Sequence, residues 1–306
     1  MDPLSEVLSL LTAQGSVFAG LKAGGSWAID FPPPDGIKFN AIVEGACWLT
    51  VDGVEKPIRL ESGDCFLLSR KRTFSLCSDL SLPAIHSDEI YCHAVNGIAR
   101  CGTADAFFLI GGRFAFGEEA NLLFDGLPPV AVIKSGSDQA SVLSWALHRL
   151  AHELATPSPG GSVVVQHLGH IMLVQVLRLY LEQEGNNMPS WLLAVSDLRI
   201  GTAIQAIHAD PARSWTVEDL AQVAGVSRST FALHFKQKAG ITPLEYVSRW
   251  RMQLASRSLK ANHATISSIA QKLGYDSDSA FSHAFKRIMK CSPREYREKS
   301  ASVIRP

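Results

Sequence analysis

The 306-residue chain has no run of about 18 consecutive apolar residues, so its pattern does not predict a membrane-spanning helix. Its opening Met-Asp-Pro-Leu-Ser-Glu lacks the basic start of a signal peptide, and Leu4, Val7, Leu8 and Leu11 instead predict an amphipathic first helix. Cysteine is sparse: Cys47, Cys65, Cys77, Cys92, Cys101 and Cys291 contain no C-x-x-C pair, which argues against a zinc knuckle or a dithiol redox motif and for free thiols in a reducing compartment. These absences predict a cytoplasmic protein with no membrane association. Net charge is also lacking, but the zero total conceals a division. Residues 199–306 carry 17 Lys and Arg against 8 Asp and Glu, so the rest of the chain is acidic by the same margin. A basic segment on an acidic partner is the electrostatic footprint of phosphate binding, which makes double-stranded DNA the expected ligand.

The basic segment holds a repeat. Trp215-Thr-Val-Glu-Asp-Leu-Ala runs into Gly225-Val-Ser-Arg-Ser-Thr-Phe-Ala-Leu-His-Phe-Lys, and about fifty residues later Ile266-Ser-Ser-Ile-Ala runs into Gly274-Tyr-Asp-Ser-Asp-Ser-Ala-Phe-Ser-His-Ala-Phe-Lys. Thr216 can cap the first short helix, with Glu218 and Asp219 near its positive end. Ser227 and Ser277 can cap the second helix of each copy. Phe231 with Phe235, and Phe281 with Phe285, are each four residues apart and predict a buried stripe. Each copy is therefore laid out as a helix-turn-helix, whose second helix enters the major groove.

Residues Ile200 to Arg297 resemble the DNA-binding domain of the AraC/XylS family. The likeness rests on Asp219-Leu220-Ala221, Ser227 to Phe235, Gly240-Ile241-Thr242-Pro243 with Tyr246, Arg249 to Arg251, Ile269-Ala270, Gly274-Tyr275, Phe281 to Lys286, and Ser292-Pro293 with Tyr296-Arg297. It implies two helix-turn-helix units joined by a long helix, about Pro243 to Leu259. Lys290 departs from the family, which usually has Gly before its final Ser-Pro. The resemblance places base-reading positions on Arg228, Ser229, Ala232 and Leu233, and on Asp278, Ser279, Ala280 and His283. Among these, Arg228 can make the bidentate contact to guanine, Asp278 could accept from cytosine N4, and His283 could donate to a purine N7. Ser227, Lys236, Ser277, Lys286 and Arg287 are expected at phosphates. RNA polymerase as a partner, and activation rather than repression, follow from the same likeness.

From Gly25 to about Phe116 the pattern is β. Ser26-Trp27-Ala28-Ile29, Lys38 to Val43, Cys47 to Val51, Ile58 to Leu60 and Cys65-Phe66-Leu67-Leu68 read as short strands. Asp52-Gly53 signals a hairpin, and Ser62-Gly63-Asp64 a turn. Such strands favour a small jelly-roll barrel. Asp2-Pro3-Leu4-Ser5, Glu44-Gly45-Ala46-Cys47-Trp48 and Leu60-Glu61-Ser62-Gly63-Asp64 resemble the cupin-like sensor domain that precedes many AraC-type DNA-binding domains. Metal-binding cupins use histidines where this chain has Phe39 or Asn40, and Phe74. No metal site and no cofactor are therefore expected, and no catalytic residue is nominated. The interior instead suits a small-molecule effector. Trp27, Phe39, Ile42, Trp48, Phe66 and Phe74 are candidate walls, with Asn40 and His86 as polar anchors. Relatives of the sensor tend to carry Cys-Gly where Gly111-Gly112 stands, which weakens a thiol-sensing role. Cys92 and Cys101 keep that alternative open beside a metal-independent cupin enzyme.

Leu143, Leu147, Leu150 and Leu154 recur with helical spacing, and a second helix, about Val163 to Glu182, is apolar on most sides. His148 and His152 share a face but lack a third ligand. That much apolar surface suggests a homodimer through these helices. The expected architecture is a multidomain α+β chain. Residues 1–184 form the cupin-like barrel with two dimerisation-type helices, 185–198 are a linker, and 199–306 are the all-α double helix-turn-helix domain.

Overall fold

A computed structural model describes residues 2–10, 15–115, 128–134, 140–156, 158–183, 189–261 and 264–303. These form two compact units. The expected boundary at residue 184, the end of the β region at Phe116 and the first-helix position Leu11 lie outside the described residues.

The larger unit is a sandwich of two sheets. One has the order β11-β6-β3-β10-β1-β9, with β1 (Gly15–Gly24), β3 (Ile37–Glu44), β6 (Cys65–Leu68), β9 (Ile98–Gly102), β10 (Phe107–Ala115) and β11 (Val130–Ile133). The other is β5-β4-β7-β2-β8, with β2 (Ala28–Phe31), β4 (Ala46–Val51), β5 (Ile58–Glu61), β7 (Phe74–Cys77) and β8 (Ile85–His86). Apart from the parallel pairs β1/β9 and β2/β8, all neighbours are antiparallel. Strand residues alternate between faces, so each sheet turns one set of apolar side chains inward. Leu21, Ile29, Ile42, Leu49, Phe66, Phe74, Leu76 and Leu109 make that core. Aromatic rings fill it: Trp27 lies 4.8 Å from Phe107, and Phe31 stacks on Phe74 at 4.6 Å between centroids.

The strand expected at Ser26 begins at Ala28, and β1, half of it Gly and Ala, carries only a weak strand signal in the sequence. Asp52-Gly53 does join two strands, with Gly53 at φ +72°, but the connection runs over residues 52–57 rather than two residues. The outer face of the larger sheet is covered by helices. α3 (Ala140–Ala155) and α4 (Gly161–Gln183) pack on each other, and both touch β1. Gly169 of α4 is needed where it stands, because an added Cβ would sit 2.3 Å from the Phe18 ring. Contrary to the expectation from the sequence, α4 is long and apolar enough over Gly161–Leu181 to cross a membrane by length and composition. It nonetheless carries His167, His170 and Arg178 and buries Leu168, Met172, Val176 and Leu177 against its own unit, which is the behaviour of a packing helix.

The smaller unit is helical, and two boundaries differ from expectation. Trp191–Ser196, expected in a linker, is a helix (α5) capped by Ser190, with Trp191 and Leu192 buried and packed on the later helix Arg228–Ala239. The apolar Trp-Leu-Leu run buries in this unit rather than crossing between domains. The first helix, α1 (Pro3–Leu10), also belongs here rather than with the barrel. The tie is a buried histidine in α6 (Leu198–Ala209). His208 is stacked on Trp250 at 3.6 Å, with Nδ1 2.8 Å from Glu6 and Nε2 2.8 Å from the Tyr246 hydroxyl. Burial pushes the imidazole down to about 3, so at neutral pH Nδ1–H donates to Glu6 and Nε2 accepts from Tyr246. A partner so far away in the sequence leaves no local pattern to read.

Candidate nucleic-acid interface

Local capping chemistry positions both halves of the repeat. Thr216 and Asp219 form a reciprocal capping box at α7 (Val217–Val223), and the Ser227 hydroxyl accepts from the Thr230 amide at the start of α8 (Arg228–Ala239). Thr265 caps α10 (Ile266–Lys272), and Ser277 accepts from the Ala280 amide at 3.1 Å to begin α11 (Asp278–Met289). Between them the long helix α9 (Pro243–Lys260), capped by Thr242 with Pro243 in its first turn, packs on both α8 and α11. The last helix, α12 (Pro293–Val303), closes the second half against α9.

The two halves reproduce one packing device. Phe231 and Phe235 are fully buried with rings 5.6 Å apart, and Phe281 and Phe285 repeat this at 5.8 Å. Phe235 meets Tyr246 edge-on at 5.7 Å, and Phe285 meets Tyr296 the same way at 5.5 Å. Burying the phenylalanine stripe turns the opposite side of each second helix to solvent. There Arg228, Ser229 and Lys236 of α8 are exposed and Ala232 is half-buried. Leu233, 57% exposed, is an apolar side chain with no core to enter, a group suited to a thymine methyl. On α11, Asp278, Ser279, Ala280, His283, Lys286 and Arg287 are exposed, and Ser227 and Ser277 lie open at the two helix starts.

A groove of about 700 Å³, lined by Leu244, Glu245, Ser248, Arg249, Arg287, Ile288 and Lys290, separates the start of α9 from the end of α11. Glu245, its one acid, is paired with Arg249 at 2.8 Å, leaving the groove with a positive excess. The sequence singles out Arg249, Arg287 and Lys290 separately, and only the packing of α9 on α11 brings them to one groove. Arg251, singled out by its motif, acts structurally, its guanidinium donating to the Pro211, Ala212 and Arg213 carbonyls.

Lys290 ends α11 at φ +62°, the place Gly240 takes at the end of α8 with φ +76°. A side chain in this left-handed region carries a steric cost of roughly 1 kcal/mol. Lys290→Gly should therefore raise stability by about 0.5–1 kcal/mol in urea unfolding of the full chain. An unchanged or lowered midpoint would show that the lysine's bond to the Arg287 carbonyl, 3.0 Å, outweighs the strain.

The eight pocket residues expected in the barrel divide. Trp27, Ile42, Phe66 and Phe74 belong to the core between the sheets. Asn40, 2% exposed, shares the inward face of β3 with Ile42. Phe39 is buried on the opposite, helix-covered face, since it alternates with Asn40. Trp48 lies outside too: Cys47 and Leu49 take the inward positions of β4, and Arg59 sits over the indole at 5.3 Å. His86 is exposed and caps the short helix α2 (Ser87–Tyr91), accepting from the Asp88 amide. These three are corrections, each caused by alternation or capping that composition does not reveal.

His148 is engaged by the Ser144 carbonyl at 2.7 Å, and among the described residues no three His, Cys, Asp or Glu side chains gather as a metal site would require. All six cysteines are free thiols. Burial pushes Cys47 up to about 12 and raises Cys65, Cys77 and Cys101, which favours the protonated thiol at each over the nucleophilic thiolate. Cys92 is exposed.

Two family models match the chain in succession. A cupin family model matches residues 2–182, and a helix-turn-helix domain model matches residues 220–299. An AraC-like transcription regulator of Streptomyces lividans is 46% identical over 299 residues, 97% of this chain and 98% of that protein. The HTH-type transcriptional regulator AlkR of Acinetobacter baylyi is 30% identical over 310 residues, 98% of this chain and 100% of its own length. Among solved structures, ToxT of Vibrio cholerae is 16% identical with a TM-score of 0.38, covering 92% of this chain and 96% of its own.

Proposed function

Since the chain belongs to the AraC-like transcription regulators that carry an N-terminal cupin domain, we propose that it reads a promoter with α8 and α11 under control of a small molecule held by the sandwich. The observation that carries the reading is the duplicated helix-turn-helix, in which each phenylalanine stripe is buried and each polar face is left open. Arg228, Ser229, Ala232 and Leu233 read one stretch of base edges, and Asp278, Ser279, Ala280 and His283 the next. Ser227, Lys236, Ser277, Lys286 and Arg287 hold phosphates, and the Arg249/Arg287/Lys290 groove adds a contact for the backbone between them. Phosphate neutralisation supplies affinity that falls steeply with salt, and the base contacts supply discrimination.

The relatives named above are transcription regulators, so the reading is regulatory rather than enzymatic. It places the protein in the cytoplasm, with RNA polymerase as partner and activation as outcome. Selection of bound duplexes from a random pool by the full chain should return one site with two recognition boxes about one helical turn apart. Recovery of unrelated sequences in proportion to their input would refute it.

The same reading makes the regulator a homodimer through α3 and α4. Trp145 is 59% exposed and Val163 54%, with Ile171 and Val142 also open, apolar surface that a second copy would cover. Val163→Glu with Ile171→Glu should shift sedimentation from dimer to monomer at micromolar concentration. A wild-type chain that sediments as a monomer would remove the dimer from the reading.

A further inference from the structure

The inward face of the larger sheet carries a polar cluster that DNA recognition does not use. Pairing register puts Val17, Arg113, Lys38, Leu68 and Val130 in one row across β1, β10, β3, β6 and β11. Ala19, Gly111, Asn40, Phe66 and Val132 form the next row. Leu109 and Ile42, two residues further along their strands, belong to the core, so alternation turns Arg113, Lys38, Gly111 and Asn40 to that same interior side. Lys38 and Asn40 converge above Gly111: a Cβ there would lie 2.6 Å from Asn40 Oδ1 and 3.1 Å from Lys38 Nζ.

Both groups lack the partners their burial demands. Asn40 is 2% exposed and its Nδ2 makes no hydrogen bond. An unsatisfied buried donor costs about 1–3 kcal/mol, and natural cores rarely keep one. Lys38 makes no ion pair among the described residues; its ammonium is pushed down to about 8 by burial first and by the Arg113 charge second. The nearby acid Asp35 is engaged with Lys71. A half-buried cation and a buried amide donor thus lie side by side, Lys38 without an ion pair among the described residues, next to the exposed Arg113 and beside the apolar walls Phe66, Leu68, Val130 and Val132.

We propose that Lys38 and Asn40 bind the carboxylate of a small apolar acid, one oxygen on the Lys38 ammonium and the other on the Asn40 amide, with Arg113 at the rim attracting it. This rests on the effector-binding reading of the sandwich and names the effector's chemical class. A carboxylate is favoured over a neutral ligand because it alone supplies both an acceptor for Nδ2 and the charge Lys38 lacks.

The test uses the full chain with sodium octanoate and sodium benzoate as probes, and octanol and benzamide as their neutral counterparts. Calorimetry and thermal melting report binding, and fluorescence anisotropy on the selected duplex reports DNA affinity. At least one carboxylate should bind and raise the melting temperature while its neutral counterpart does not. Lys38→Met should weaken that binding at least tenfold, Asn40→Leu several-fold, and Lys38→Arg should retain most of it. Lys38→Met should melt no lower than wild type without ligand, because it removes a desolvated charge, so its loss of binding cannot be blamed on misfolding. Equal carboxylate binding by wild type and Lys38→Met would overturn the assignment. So would neutral compounds that bind both proteins alike, and if they also shift DNA affinity the effector-binding reading would survive alone. If neither class binds, both fall.

Discussion

Phe285→Ala is expected to destabilise the helical unit by about 3–5 kcal/mol, the range for emptying a fully buried phenylalanine site. Phe285 has no exposed surface, contacts Phe281 at 5.8 Å and Tyr296 at 5.5 Å between centroids, and lies among Met252, Leu259 and Met289. Those neighbours are held on α9, α11 and α12, which cannot all collapse inward to refill the space. A loss of that size is a large part of the net stability of a small domain, typically about 5–15 kcal/mol in total. Urea unfolding should show the helical unit melting separately from and before the sandwich, with specific DNA binding lost at urea concentrations where the sandwich stays folded. Lys286→Ala, one residue away on the exposed side, should change stability by less than about 0.5 kcal/mol. If the two variants unfold alike, the phenylalanine stripe is not what holds the second recognition helix in place.

Arg228→Ala should weaken binding to the selected site by roughly 1–3 kcal/mol, about 5- to 150-fold, and relax the preference at one base pair. The side chain begins α8, is exposed, and is the one residue of the proposed first reading set able to grip guanine with two donors. Its stability effect should be negligible, because it stands on the solvent side of a helix whose cap is Ser227. Lys286→Ala offers the contrast. Losing a phosphate contact should weaken all sequences nearly uniformly and reduce the slope of log affinity against log salt by about 1. Competition between the selected duplex and single-base variants, repeated at several salt concentrations, separates the two. Unchanged base preference in Arg228→Ala would remove that arginine from the reading set.

Legibility differed between the two units for physical reasons. In the helical unit the information is local. Ser227 and Ser277 cap the helices they precede, the Phe pairs four apart face one way because 3.6 residues make a turn, and Gly240 and Lys290 mark helix ends. In the sandwich it is not. Phe39 and Asn40 are adjacent, set in the same apolar run and both buried, yet they face opposite sides of one sheet. Which of them looks inward depends on register with β10 and β6, set by residues tens of positions away. Trp48 and His86 were drawn to the interior by composition and excluded from it by alternation and by a capping role.

The residue pattern alone determined that the carboxyl-terminal part is a duplicated helix-turn-helix with a basic face, because caps, stripes and charge act within a few residues of where they are written. Only the tertiary structure decided that Pro3–Leu10 and Trp191–Ser196 join that helical unit, that Phe39 and Trp48 leave the sandwich interior, and that Lys38 and Asn40 converge over Gly111. Those outcomes depend on which distant strands pair and in what register, or on a partner such as Glu6 for His208 some two hundred residues away. Long-range pairing leaves no periodicity in the chain that could be read beforehand.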